Sequence, residues 1–228
     1  EQQCFEFVFN DRTAVTTDFE HLWSVMPSYN RNIKTTGRGN INKKYGQYET
    51  IEAYKILARV GGFGKLKNNF RLRIPQNKPI QYKKHNVILD PYLLGVLLGD
   101  GSLSKSTICI TTGDEEIINN CKRVWEVGAI HKNKRDKCWN VNLLKMQKPI
   151  TELGLLGHRS WEKFIPESYL FNSVDIRLQL LRGLMDTDGD INKNGQCVTM
   201  TTVSQRLCDD VAFLVRSLGG KAVITSRY

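Results

Sequence analysis

Leu93-Leu94-Gly95-Val96-Leu97-Leu98-Gly99-Asp100-Gly101 and Leu181-Arg182-Gly183-Leu184-Met185-Asp186-Thr187-Asp188-Gly189 are two versions of one phrase. Each is an apolar run compatible with a helix, has small residues four apart, and closes on Asp-Gly. The glycine suits a helix end, where a left-handed residue can close the last turn. The aspartate does not, because a helix C-terminus carries partial negative charge and repels a carboxylate. Two such conflicts in matching places point to a site whose chemistry overrides local stability. Residues four apart share a helix face, so Gly95 with Gly99, and Gly183 with Thr187, form smooth strips. If the helices pack strip to strip, their backbones approach closely and Asp100 and Asp188 meet at one end.

Two adjacent carboxylates repel each other unless a cation lies between them. Oxygen-only ligation suits Mg²⁺, with Mn²⁺ as a substitute, and hydrolysis of a phosphodiester is chemistry such a site can support. A calcium loop is the rival reading, since Asp186, Asp188, Asp190, Asn192 and Asn194 alternate like ligands. Counted from Asp190, Gly195 fills the sixth place, but Thr201 stands at the twelfth, where a bidentate Glu is needed.

Outward from the two phrases, the order of elements repeats. A helix over 92–100 leads to a strand pair within 102–112, a helix from 114 to about 127, and strands near 129–131 and 138–144. A helix over 175–188 leads to a strand pair within 189–202, a helix over 204–218 with Ser204 as N-cap, and a strand over 221–226. Upstream, residues 5–25 read as a strand hairpin turning at Asn10-Asp11, 52–58 as a short helix and 68–74 as a strand. Pro75, Pro79 and Pro91 punctuate an extended connection, which places a domain boundary near 85–90.

Composition limits what the chain can do. No run approaches the roughly 18 apolar residues of a membrane span, and the amino terminus has no signal-peptide pattern, so an intracellular protein without membrane association is expected. The six cysteines are scattered without metal or redox spacing, which predicts unbridged thiols. Net charge is +10, consistent with a polyanionic partner. Residues 1–90 hold 15 Lys and Arg against 8 Asp and Glu. Basic clusters at Lys65, Lys67, Arg71 and Arg73, and at Lys105, Lys132, Lys134, Arg135 and Lys137, are therefore candidate DNA contacts.

The paired phrases resemble the double motif of the LAGLIDADG homing endonucleases. Asp90-Pro91-Tyr92-Leu93-Leu94-Gly95 and Glu162-Lys163-Phe164-Ile165-Pro166 look like the endonuclease domains carried inside inteins. The resemblance covers about residues 85–228. It implies a mixed α/β (α+β) fold with an endonuclease domain at 89–228, built from two pseudo-symmetric αββαββ-type repeats. These run over about 91–170 and about 175–228, the second truncated. It further implies that Asp100 and Asp188 bind the metal, with Gly99 and Thr187 beside them, and that Lys163 assists catalysis by ordering water or neutralising charge. A matching second lysine is expected beyond Tyr228.

Val15-Thr16-Thr17-Asp18-Phe19-Glu20-His21-Leu22-Trp23 also resembles an intein splicing block, with His21 as its histidine. That implies a partial β-rich Hint (splicing) domain with a basic extension over 1–88. With Glu1 at the start and no His-Asn at the end, self-splicing is not expected. The implied activity is a Mg²⁺-dependent double-strand break in a long, specific site of double-stranded DNA, made by a monomer through its two internal repeats. Sheet strands 106–112, 137–144 and 196–202 would face the DNA. Trp139 and Trp161 read as core residues before DNA contacts. Alternatives of the same fold are a DNA-binding module that does not cleave, and a maturase-like RNA-binding module.

Overall fold

The computed structural model describes residues 4–28, 48–60, 71–105, 107–133, 137–195 and 197–226. The chain divides into two compact units, Glu1–Asn77 and Lys78–Tyr228.

In the first unit, β1 (Cys4–Val8) and β2 (Ala14–Asp18) form an antiparallel hairpin in which Phe5 faces Thr17. Its turn is where the sequence places it. Asp11 Oδ1 accepts from the Thr13 N–H and hydroxyl, and Arg12 takes a φ of 68°. β3 (Leu22–Ser28) pairs antiparallel with both β4 (Glu49–Glu52) and β5 (Arg71–Arg73). The helix α1 (Ala53–Val60) follows β4 without a break. Val25, Ile51 and Ile56 are buried together, with Phe7, Trp23 and Leu72 packed around them.

The second unit starts earlier in the chain than the prolines suggest, because segment 78–89 is tied to it by side chains rather than by secondary structure. Tyr169 Oη donates to the Leu89 carbonyl and accepts from its N–H, each at 3.0 Å. Asn172 pairs with the His85 backbone in the same two-way manner, at 3.0 and 3.1 Å. Fully buried Arg177 donates to the carbonyls of Ile80, Asn172 and Ser217. Three side chains therefore take over backbone groups that would otherwise lack partners away from water.

The helix α2 (Pro91–Asp100) begins at Asp90, whose carboxylate accepts from the Leu93 N–H, with proline in the first position where its missing N–H costs nothing. Strands β6 (Gly101–Leu103) and β7 (Ile108–Thr112) follow, then helix α3 (Glu115–Val124), capped by Asp114 with two glutamates in its first turn. Strands β8 (Val127–Lys132) and β9 (Trp139–Leu143) complete a four-stranded antiparallel sheet in the order β6-β7-β9-β8. Short helices α4 (Gln147–Glu152) and α5 (Glu167–Leu170) lead to α6 (Val174–Asp188). Then come the hairpin of β10 (Gly189–Ile191) and β11 (Val198–Met200) and the helix α7 (Gln205–Ser217). Ser204 caps α7 through the Leu207 N–H, as expected.

The two halves share the order helix, strand pair, helix, in a mixed α/β architecture. They differ in one respect that the sequence reading missed: residues 221–226 form no strand. The corresponding strand of the first half, β8, is an edge strand that pairs only with β9, the strand after it. Among the described residues, no strand follows α7 in the second half.

The core of this unit lies between the helices and one face of the four-stranded sheet. Leu103, Ile108, Ile110, Val141 and Leu143 point inward alongside buried Leu93, Leu94, Leu97, Leu180 and Leu184. Alternation of side chains then puts Ser102, Cys109, Thr111, Asn140 and Asn142 on the opposite face. No disulfide joins any of the six cysteines. Among the described residues, no helix is long and apolar enough to cross a membrane.

Candidate active site at the helix tips

α2 packs along α6, and glycine permits the approach. A Cβ on Gly95 would clash with the Leu180 carbonyl and lie 2.9 Å from the Leu184 nitrogen. One on Gly183 would clash with the Tyr92 carbonyl and lie 2.9 Å from the Val96 nitrogen. The two glycines thus face each other across the crossing and play interchangeable roles. One turn on, Gly99 faces Thr187, and a Cβ there would reach within 3.2 Å of an Asp188 carboxylate oxygen. Both helices end immediately afterwards, at Asp100 and Asp188.

The two carboxyls share an environment. Burial, followed by the Asp188 charge, raises the Asp100 pKa above the usual carboxylate range, and burial does the same to Asp188. Lys163 opposes both shifts by attraction. Its own ammonium is buried, with 4 % of the residue exposed, and desolvation brings its pKa down to about 8 against the pull of the two aspartates. Lys163 Nζ donates to the carbonyls of Leu97, Gly99 and Gly101 at 3.1, 2.8 and 2.8 Å. This lysine therefore caps the end of α2, adding donors to the carbonyls of its last turn, where the Leu97 carbonyl also accepts from the Gly101 N–H.

Two residues that sequence reasoning missed fix Lys163 in place. Ser204 Oγ donates to the Lys163 carbonyl at 2.7 Å, and Asp210 Oδ2 accepts from the Ile165 N–H at 2.8 Å. Ser204 was readable as an N-cap, but its second bond spans 41 positions and leaves no local signal. Tyr92 Oη, from the first turn of α2, donates to Asp186 Oδ2 in the last turn of α6 at 2.8 Å. The Thr187 hydroxyl bonds back to the carbonyls of Gly183 and Leu184 in its own helix.

The remaining candidates lie elsewhere. Lys105 follows β6, and Lys132 ends β8 with its ammonium 4.4 Å from the centroid of the Trp139 ring. Lys137 precedes β9 in a left-handed conformation, φ 56°. Arg71 and Arg73 belong to β5 of the first unit; exposed His21, in the same unit, precedes β3 and has its ring edge toward Trp23. Lys65, Lys67, Lys134 and Arg135 lie outside the described residues. Trp161, read as core, is instead 56 % exposed. The calcium-loop alternation is split between the last turn of α6 and the β10–β11 hairpin. Among the described residues, no three His, Cys, Asp or Glu side chains gather as a metal cage.

Residues 175–228 match a family model described as a LAGLIDADG-like domain. Over 221 residues the chain is 28 % identical to the replicative DNA helicase DnaB of Mycobacterium intracellulare, covering 95 % of this chain and 34 % of that protein. Similarity to the DnaB of a Nostoc species is 27 % over 175 residues, 67 % of this chain and 20 % of the relative. The homothallic switching endonuclease of Saccharomyces cerevisiae is 23 % identical over 164 residues, 60 % of this chain and 28 % of the yeast protein. The chain spans between 20 % and 34 % of the length of these relatives.

Proposed function

We propose that this chain is an intein-type homing endonuclease of the LAGLIDADG kind, which hydrolyses both strands of a long DNA site with Mg²⁺ or Mn²⁺. The observation that carries the reading is the glycine-to-glycine crossing that ends in Asp100 and Asp188. The LAGLIDADG-like match at 175–228 and the similarity to a switching endonuclease support it. Alignment of nearly the whole chain within a third of a helicase supports an insertion carried by a longer host protein.

The donor set fits the metal. Exposed Asp100 and partly buried Asp188, both with raised pKa values, gain from a cation between them. Mg²⁺ favours that arrangement, being held by one or two carboxylates while waters and substrate phosphate complete its sphere. Asp100 and Asp188 would hold it, beside Gly99 and Thr187. When bound, the ion supplies charge stabilisation and acidified water for phosphodiester hydrolysis. Lys163 holds the α2 carbonyl end in position and sets a positive charge beside the pair.

On the outer sheet face, Ser102, Cys109 and Asn142 form one cross-strand row, and Thr111, Asn140 and His131 another. Short polar side chains in such rows can hydrogen-bond to base edges in the major groove. Lys105, Lys132, Lys137 and Arg73, with Arg71 and the basic residues outside the described segments, would bind phosphates. The first unit, with His21, is proposed as the remnant of a splicing domain.

The test is linearisation of a plasmid carrying an uninterrupted copy of the host gene. Wild-type protein should cut both strands only with Mg²⁺ or Mn²⁺, and Asp100→Asn or Asp188→Asn should each lose about a hundredfold to a thousandfold in rate, the scale of removing one electrostatic stabiliser. Mg²⁺ should also raise the thermal midpoint of the wild type and leave that of the double variant unchanged. Cleavage that persists in the double variant would overturn the mechanism.

A further inference from the structure

Beside Asp100 opens a groove of about 670 Å³, lined by the β6–β7 turn on one side and by residues 157–161 on the other. Its size falls in the range of pockets that seat small ligands, about 300–1,000 Å³. Four side chains give its walls their character: Lys105, His158, Arg159 and Trp161.

The walls are built to leave those groups open. Gly157 takes a φ of 81° and donates to the Leu103 carbonyl at 2.6 Å, which pins the loop to β6. The stem of Lys105 lies over this glycine, where a Cβ would come within 3.1 Å of Lys105 Cε. The Arg159 guanidinium lies 5.3 Å from the centre of the exposed Trp161 ring, a cation resting on an indole face. Its backbone N–H is tied to Glu162, which fixes the turn that carries both residues. His158 packs its ring edge on Phe164, and its buried Nδ1 finds no hydrogen-bond partner among the described residues. Buried polar atoms are seldom left so, and this one sits in the wall of an open groove.

Two cations and an uncovered indole beside Asp100 make a surface for an anionic, partly apolar strand. We propose that this groove seats one sugar-phosphate unit of the DNA strand that passes Asp100. Lys105 and Arg159 take its phosphate, and Trp161 covers its deoxyribose. The groove thereby aligns the strand on the helix tips, which makes Arg159 and Trp161 positioning residues. This assignment rests on the endonuclease reading and adds to it a contact made off the sheet face.

The experiment uses the full chain and a mixed-sequence DNA duplex long enough to span it, with Ca²⁺ in place of Mg²⁺ so that binding is read without cleavage. The double variant Arg159→Ala/Lys105→Ala should reduce the slope of log affinity against log salt by about 0.9, the loss of one phosphate contact, and each single variant by less. Tryptophan emission should shift to the blue on binding as the exposed indole is covered, and Trp161→Phe should abolish the shift while Trp23, Trp125 and Trp139 remain. All three side chains are exposed, so none of these substitutions threatens the fold. Duplex binding with wild-type slopes and an unshifted spectrum would overturn the groove assignment and leave the endonuclease reading intact. Absence of salt-dependent duplex binding, or preference for a single-stranded or RNA oligonucleotide, would overturn both.

Discussion

Asp100 and Asp188 are costly residues. Each is a carboxylate at the negative end of a helix, each is partly desolvated, and each has its pKa raised. A folded state with raised carboxylate pKa values binds protons more tightly than the unfolded chain. Stability therefore falls as pH climbs from the usual carboxylate range through the raised values, and at neutral pH the whole penalty is present. Asp188→Asn should accordingly stabilise the metal-free protein at pH 7, by about 0.5 kcal/mol from the helix end alone. The gain should disappear at a pH below the usual carboxylate range, and urea titrations at the two pH values check it. Lower stability of the variant at pH 7 would contradict the argument. This conflict was legible in the sequence because it is local. The role of Lys163 was not, since its three acceptors lie 62 to 66 positions away.

Elements were legible wherever one face is buried. Helices α2, α3 and α7 lie within a few residues of their expected places, their starts marked by the side-chain caps Asp90, Asp114 and Ser204, and α6 does so without a side-chain cap. Strand status depends on a neighbour rather than on local pattern alone, and 221–226, expected as a strand, forms none. The α2–α6 crossing is the element-scale feature with least tolerance. Because the groups facing Gly95 are backbone atoms of α6, no side chain can swing aside to admit a methyl group. Gly95→Ala should therefore cost about 3 kcal/mol, at the upper end of usual overpacking penalties, despite alanine's better helix propensity. Chemical denaturation with an unchanged m value checks this. Gly195→Ala is the contrast: nothing lies within 4 Å of a Cβ there, and its cost is confined to the left-handed φ of 65°.

Across the whole molecule, the division into two units was visible as a change in pattern, but its position was not. Prolines and the lack of periodicity mark 74–90 as a connection, and sequence offers no sign that Tyr169, Asn172 and Arg177 reach back to hold it. The consequence concerns where the second unit can be cut loose. A shortened protein beginning at Lys78 retains everything these three side chains grip, whereas one beginning at Asp90 strips them of five backbone partners and leaves their polar ends in the interior. Orphaned buried polar groups cost about 1–3 kcal/mol each. The longer fragment should give a soluble, cooperatively melting protein and the shorter one inclusion bodies or a broad, low transition, although a reader of secondary structure alone would choose the shorter as the tidier domain.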